Sequence, residues 1–427
     1  MTVTANGHVA SGDTPRTEPA ASATNAPQVA TTPFGFREQI AIVALLISLV
    51  ALSIDAILPA LDVIGADLRT VDPNAPQFMI SALLVGLAVG QLFYGPISDS
   101  TGRRLPIYVG LVIFLIGSTV CMATTSFEAM LFGRFLQGLG AAGPRVVAIA
   151  MVRDQYSGPL MARVMSFAMT IFILVPAIAP AIGQLVLLLG NWRGIFVVFL
   201  VHGAVALIWF SSRQHETLAP ADRRTFSVRS VTSAMGETIR HPVSRNYAIA
   251  AGFVFGSFVG FLTSIQQIFY DVFALGEWFV IAFGVLSLAI GAASLTNSHL
   301  VMQFGMQRLC TYALGGLITL SAVALLIAGL SSGAMSVLIF MALMLPCSFC
   351  FGILFGNFNA LAMEPMGHIA GSAAAIIAAL TSVVAVSVGT TVGQLFDGSV
   401  IPLFGGFLFA AVLASALLFW TEAVRRD

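Results

Sequence analysis

The chain has 427 residues and no lysine among them, and its charged residues together make up only 9 %. A soluble domain carries about 25 % charged residues, so this sequence cannot clothe a globular surface in water. Without lysine there is no Gly-x-x-x-x-Gly-Lys phosphate loop, which excludes ATP hydrolysis by this chain as an energy source. Basic and acidic residues balance to a formal net charge of zero, which gives no footprint for nucleic acid. Cysteine is scarce too: Cys121, Cys310, Cys347 and Cys350 all lie in apolar stretches. Cys347-Ser348-Phe349-Cys350 has the spacing of a redox pair but neither a soluble βαβ setting nor an electropositive surround, so packing thiols are expected. The histidines form no metal-ligand pattern, and His202 stands alone in an apolar run. No nucleophile–base or metal set emerges from the scattered acids, which leaves a membrane-embedded enzyme as a remote alternative.

What the chain has is apolar length. Hydrophobic residues make up 58 % and the mean hydropathy is +0.95, the composition of an integral membrane protein. From residue 38 onward, apolar runs of about 20 residues follow one another, each long enough to cross a hydrocarbon core as a helix. They fall near 40–61, 76–97, 105–124, 128–151, 161–187, 193–211, 247–269, 278–297, 309–329, 334–360, 371–394 and 401–420. The predicted organisation is a disordered cytoplasmic tail (1–36), a six-helix half (37–212), a cytoplasmic linker (213–246) and a second six-helix half (247–427). The tail is polar, rich in Ala, Thr and Pro, and has no apolar signal-peptide core. Arginine sets the sidedness. With the N-terminus inside, cytoplasmic segments hold 15 arginines and external ones only Arg69 and Arg193, so both termini are expected in the cytoplasm.

Few charges stand inside spans. Asp55 is the only acid well within the first. A lone carboxylate in hydrocarbon costs at least a few kcal/mol, so it is expected to face the bundle interior; a helix-end acid reaching out past Pro59 is the other reading. Arg134, in the fourth span, is roughly 8 Å outward of its span centre, and Asp55 is roughly 7 Å outward of its own. Shared depth predicts that they pair, with Gln137 held by the same guanidinium fork. Arg145 lies in the fourth span as well.

Between the second and third spans runs Gly95-Pro96-Ile97-Ser98-Asp99-Ser100-Thr101-Gly102-Arg103-Arg104, a tight stop followed by fixed cytoplasmic charge. The turn between spans 8 and 9 places Gly305 and Arg308 in the corresponding region, with Met302 in place of Asp99. The order Gly-x-x-x-Asp-x-x-Gly-Arg-Arg resembles the loop signature of the major facilitator superfamily. Arg134-x-x-Gln137-Gly138-x-Gly140 is similar to that family's proton-linked motif of span 4. Val175-Pro176-Ala177-Ile178-Ala179-Pro180-Ala181-Ile182-Gly183 is similar to its antiporter motif, with Ala179 where a glycine is usual. Ser53-x-Asp55-x-x-x-Pro59, Met151-Val152-Arg153-Asp154 and Ala370-Gly371-Ser372-Ala373 resemble multidrug efflux proteins of the Bcr/CflA type.

The resemblance implies an all-α membrane fold: twelve transmembrane helices in two pseudo-symmetric six-helix halves, each built of inverted triplets. It implies a monomer in a bacterial cytoplasmic (inner) membrane that exchanges protons for a small amphipathic compound, with the proton gradient as energy source and no cofactor or metal. Its partners would be protons, the small-molecule substrate and the lipid bilayer, not nucleic acid. Asp55 and Arg134 become the proton-coupling candidates. Pro176 and Pro180, each lacking a helix hydrogen bond, and Gly183, which permits close approach, become a hinge. Gly95, Asp99, Gly102, Arg103, Arg104 and Arg153 become a conformational latch in which Asp99 meets Arg153. Phe253, Phe258, Phe261, Gln266, Asn357 and Gln137 are the candidates for lining a substrate cavity; Phe255 recurs in the same run. A proton symporter or facilitator importing a small polar solute stays open as an alternative, although such a protein is expected to carry more mid-span polar groups in both halves.

Overall fold

Backbone N–H and C=O groups inside a bilayer must find partners within the chain, and a helix satisfies them locally. A computed structural model describes residues 35–156, 158–223, 227–331 and 335–426, and every regular element in it is helical. The first crossing is α1 (Phe36–Asp55), a short 3₁₀ turn (Leu58–Ala60) and α2 (Leu61–Asp67). Then come α3 (Phe78–Thr101), α4 (Arg104–Ala123), α5 (Phe127–Gln155), α6 (Gly158–Leu189) and α7 (Arg193–Arg213). The helix α8 (Val228–Arg240) follows, and six more crossings complete the chain: α9 (Pro242–Gln267), α10 (Phe279–Phe304), α11 (Met306–Leu330), α12 (Val337–Met363), α13 (Ala370–Gln394) and α14 (Ile401–Arg426). Counting α1 and α2 as one crossing and leaving α8 aside, twelve helices among the described residues traverse the molecule. Large apolar side chains such as Leu189, Leu326 and Phe409 are exposed on the outside while others fill the interior. Helices apolar on both faces suit a lipid surround. The expected tail, apart from residues 35 and 36, lies outside the described residues.

Local signals set the breaks. Pro59 has no N–H, so the Asp55 carbonyl loses its i+4 donor, and regular α1 ends at Asp55. Ser126 and Ser336 start α5 and α12, each accepting a bond from the backbone N–H three residues on. Gly102 and Gly305 terminate α3 and α10 with φ of +94° and +77°, a region that glycine enters without a Cβ clash. The same device thus ends the second crossing of each half, a structural trace of the repeat seen in the loop sequences.

Within a half, glycines let backbones touch. A Cβ on Gly138 of α5 would stand 1.8 Å from the Leu83 carbonyl oxygen of α3, and one on Gly183 of α6 would stand 1.9 Å from that of Ala56. In the second half, Gly352 of α12 sits in the same way against the Ile290 carbonyl of α10. The two halves meet along α3 with α13 and along α6 with α10, a pairing that the pseudo-symmetry relates to itself. One end of the bundle, the linker end, bears the start of α1, α8 and the end of α14; the opposite one is the far end.

Candidate functional site

A cavity of about 340 Å³ lies between the halves, within the size range of small-molecule sites. Helix α1 gives Asp55, ending the regular helix just before the Pro59 break and buried to 4 % exposure. On α9, Ala251, Val254, Phe255, Phe258, Val259 and Leu262 face the cavity, the i, i+3, i+4, i+7 rhythm of one helix face. Phe355 of α12 meets Phe258 edge-on with centroids 5.4 Å apart and Phe255 at 5.8 Å, giving an aromatic wall. Gln91, Arg145, Asn359, Thr381 and Ser382 add polar groups, and Pro176 of α6 also lines the space. Among the described residues, Asp55 and Arg145 are the only charged ones in this lining. A larger hollow of about 860 Å³ opens on the outer surface between α10, α11 and α12. It is lined mainly by Gly, Ala and Leu and has the character of a lipid-facing groove.

Arg134 is fully buried, but its partners are not carboxylates. Its Nε donates to the Met79 carbonyl at 3.1 Å, its Nη1 to Gln137 Oε1 at 2.8 Å and its Nη2 to the Ser53 carbonyl at 2.8 Å. Gln137 Nε2 donates onward to Ser118 Oγ at 2.8 Å. One guanidinium thereby ties α1, α3 and α5 together, and Gln137 adds α4. The expected pair with Asp55 is corrected: among the described residues Asp55 forms no ion pair, and Arg134 meets the backbone two residues earlier. At 3.6 residues per turn, that offset rotates Asp55 about 200° from Ser53, toward the cavity.

At the far end, hydrogen bonds cross between the halves. Gln77 Nε2 donates to Gln267 Oε1 at 2.5 Å, and Gln267 Nε2 donates to Asn74 Oδ1 at 3.1 Å. Asn74 Nδ2 donates to the Phe396 carbonyl at 2.9 Å, while Gln394 Nε2 returns a bond to the Asn74 carbonyl at 2.8 Å. Ser81 and Thr390 hydroxyls are 2.6 Å apart, and Gln266 Nε2 donates to Asp62 Oδ2 at 2.5 Å. The cavity is sealed on this side by amides and hydroxyls.

The linker end carries a charge cluster. Arg103 is 6 % exposed; its Nη1 pairs with Asp99 Oδ1 at 2.5 Å and its Nε with Asp154 Oδ2 at 2.8 Å, with Nη2 reaching Asp154 Oδ1 at 3.2 Å. Glu216, from the segment after α7, caps α4: Oε1 accepts the Arg103 N–H at 2.8 Å and Oε2 the Arg104 N–H at 3.2 Å. A carboxylate here meets the positive end of the helix dipole. Burial pushes the Glu216 carboxyl up, but the backbone amides of Arg103, Leu218, Arg104 and Thr217 outweigh it and hold it below the usual range. Arg104 reaches Tyr108, its Nη2 donating to the hydroxyl at 2.6 Å.

A family model described as the Major Facilitator Superfamily matches residues 43–390. The chain belongs to the major facilitator superfamily. It is 28 % identical over 380 residues to an uncharacterized MFS-type transporter, YdgK, of Bacillus subtilis, covering 86 % of this chain and 91 % of that one. It is 29 % identical over 264 residues to a bicyclomycin resistance protein homolog of Haemophilus influenzae, covering 61 % of this chain and 66 % of that one. A crystal structure of a D-xylose-proton symporter superposes with a TM-score of 0.70 at 15 % identity, covering 88 % of this chain and 97 % of that one, which bears on the fold. The chain is therefore a transporter, not an enzyme.

In this facilitator, Asp55, Phe258 and Pro176 are the sequence candidates that reach the cavity. The other cavity candidates go elsewhere. Gln137 serves Arg134, Gln266 binds Asp62, and Asn357 exchanges hydrogen bonds with Asn297 at 2.8 and 3.3 Å. Phe261 stacks on Phe283 of α10 at 5.9 Å, and Phe253 lies off the cavity-facing stripe of α9. The latch is also redrawn. Asp99 binds Arg103, and Arg103 binds Asp154, while Arg153 is exposed. Neighbouring helical residues diverge by about 100°, so the turn that aims Asp154 at Arg103 aims Arg153 away. Gly95 lies across from Ala375 of α13, where an added Cβ would make an ordinary 3.8 Å contact. Helix α6 continues through Pro176 and Pro180, and Gly183 packs on the α1 break. Reasoning from sequence missed Glu216, Gln91, Phe355 and the cavity position of Arg145. For Arg145 the signal was present, an arginine in mid-span; for Glu216 none was, because the helix start that it caps lies more than 100 residues away.

Proposed function

We propose that this transporter exports small amphipathic compounds from a bacterial cell in exchange for protons, by exposing the cavity alternately to the two sides of the membrane. The linker end is cytoplasmic on this reading, in keeping with the arginine excess there. The carrying observation is Asp55, the only carboxylate among the described residues that line the cavity, buried against apolar walls with the far end closed above it. A buried carboxylate without a compensating charge is costly. A proton or a cationic group of the cargo relieves that cost, and the two compete for one site, which is the requirement for exchange. The aromatic wall of Phe255, Phe258 and Phe355 suits an amphipathic body. Resistance is in the name of one relative, and the fit to the Bcr/CflA type supports efflux over import.

The test is transport by the whole chain in proteoliposomes with an imposed proton gradient, read with a lipophilic amine dye. Wild type should move the dye against its gradient and stop when an uncoupler is added. Asp55→Asn should fold and insert yet lose gradient-driven movement. Uncoupler-sensitive transport at the wild-type rate in that variant removes Asp55 from the mechanism.

A further inference from the structure

The cavity holds a second charge that proton exchange does not use. Arg145 lies on α5 eleven residues beyond Arg134, roughly 16 Å closer to the linker end, and lines the same cavity as Asp55. Arg134 marks the level of Ser53 through its 2.8 Å bond to that carbonyl, so Asp55 and Arg145 stand toward opposite ends of one space. Between them run Phe255, Phe258, Phe355 and Phe358. Gln91 and Asn359, also in the lining, are uncharged and adapt to either kind of polar group.

We propose that the cavity is built for amphipathic zwitterions, whose cationic group pairs with Asp55 and whose carboxylate pairs with Arg145. The inference rests on reading this cavity as the transport site. A simple cation would satisfy Asp55 and draw nothing from the guanidinium at the other end. An anion would pair with Arg145 and gain nothing from a charged Asp55; its binding would favour the protonated carboxyl, so proton and cargo would travel together. A zwitterion alone engages both ends and still displaces the proton, which keeps the exchange stoichiometry intact. The planar guanidinium fork can hold a carboxylate by two parallel bonds, a geometry that a lysine at the same place would reproduce only in part.

The test uses three probes that share one rigid body: 4′-(aminomethyl)biphenyl-4-carboxylic acid, its methyl ester (a cation) and its N-acetyl derivative (an anion). Binding to the full chain in lipid nanodiscs is measured by calorimetry. Wild type should bind the zwitterion at least about tenfold more tightly than either relative, the scale of one charge-assisted hydrogen bond. Arg145→Gln should bring the zwitterion down to the level of the ester and leave the ester unchanged. Arg145→Lys should keep part of the preference, and it serves if the glutamine variant does not fold. Equal binding of the three probes by wild type, or equal weakening of zwitterion and ester by Arg145→Gln, overturns the proposal. Asp55-dependent efflux of the ester together with equal binding of zwitterion and ester by wild type leaves proton exchange standing and removes the zwitterion preference. Zwitterion binding without gradient-driven transport does the reverse.

Discussion

The packing inside each half and the seam between the halves are made of different materials. Inside a half, backbone meets backbone: Gly138 against Leu83, Gly183 against Ala56, Gly352 against Ile290. The first half adds a buried guanidinium whose donors are taken up by Met79, Ser53 and Gln137. Across the far-end seam, contact is made by Asn74, Gln77, Gln267 and Gln394, side chains that water can satisfy equally well once they part. Glycine-to-backbone contacts have no such substitute. Under the alternating access proposed above, the contrast separates what must stay rigid from what must open: the halves would move as bodies, and the seam would exchange protein partners for water at a small net cost.

The sharpest way to break this comparison is at Arg134. Arg134→Ala leaves two buried carbonyls and a glutamine amide without their donor, each loss being worth about 1–3 kcal/mol. The folded first half should be destabilised by at least about 3 kcal/mol, read as a large drop in melting temperature in nanodiscs. Lysine should recover only part, since an ammonium cannot span the three acceptors. A melting temperature near wild type would show that the half is not locked there.

Next in size is the seam. Asn74→Ala removes two donated bonds and one accepted bond across the far end, a net loss of about 1–2 kcal/mol and hence roughly a five- to thirtyfold shift toward the opened state. Melting temperature should change little, while labelling of a far-end cysteine from the outside should rise. Unchanged labelling would mean that the seam is not what holds the far end shut.

The smallest effect is expected at the linker end. Asp99 is 41 % exposed in its pair with Arg103, so Asp99→Asn should cost no more than about 1 kcal/mol. Glu216 is more telling. Its carboxyl lies below the ordinary value of 4.5 in the folded chain, so its cap on α4 contributes fully above that value and is lost as pH falls through the lower, folded one. Glu216→Gln should therefore flatten the acid limb of the stability profile and leave the neutral region with a small loss. An unaltered acid limb would assign that limb to other carboxylates.

The fold was largely legible because apolar length and terminator residues are local signals. Twenty-residue runs marked the crossings, and Gly102 and Gly305 marked matching ends. The site was legible only in part. Depth along a helix follows from counting, and it put Arg134 at the level of Asp55. Azimuth does not follow from depth, and the guanidinium met Ser53 instead. Arg153 failed by a single residue, since Asp154 occupies the face that looks at Arg103. No local pattern marks the amides of the seam, because their partners lie in the other half, some 190 to 320 residues away.

The most direct test of a rigid half and an opening seam is a pair of distances. Spin labels at Val71 and Asp397, both exposed at the far end of different halves, report the seam; labels at Val71 and Asn191, exposed within the first half, report the body. Raising the pH leaves Asp55 charged in a space sealed above it, and water entering through an opened far end relieves that cost. The Val71–Asp397 distance should therefore gain a longer population at high pH in wild type and not in Asp55→Asn, while the Val71–Asn191 distance stays fixed in both. A within-half distance that changes with the seam, or a seam distance that responds to pH equally in Asp55→Asn, would contradict alternating access driven from Asp55.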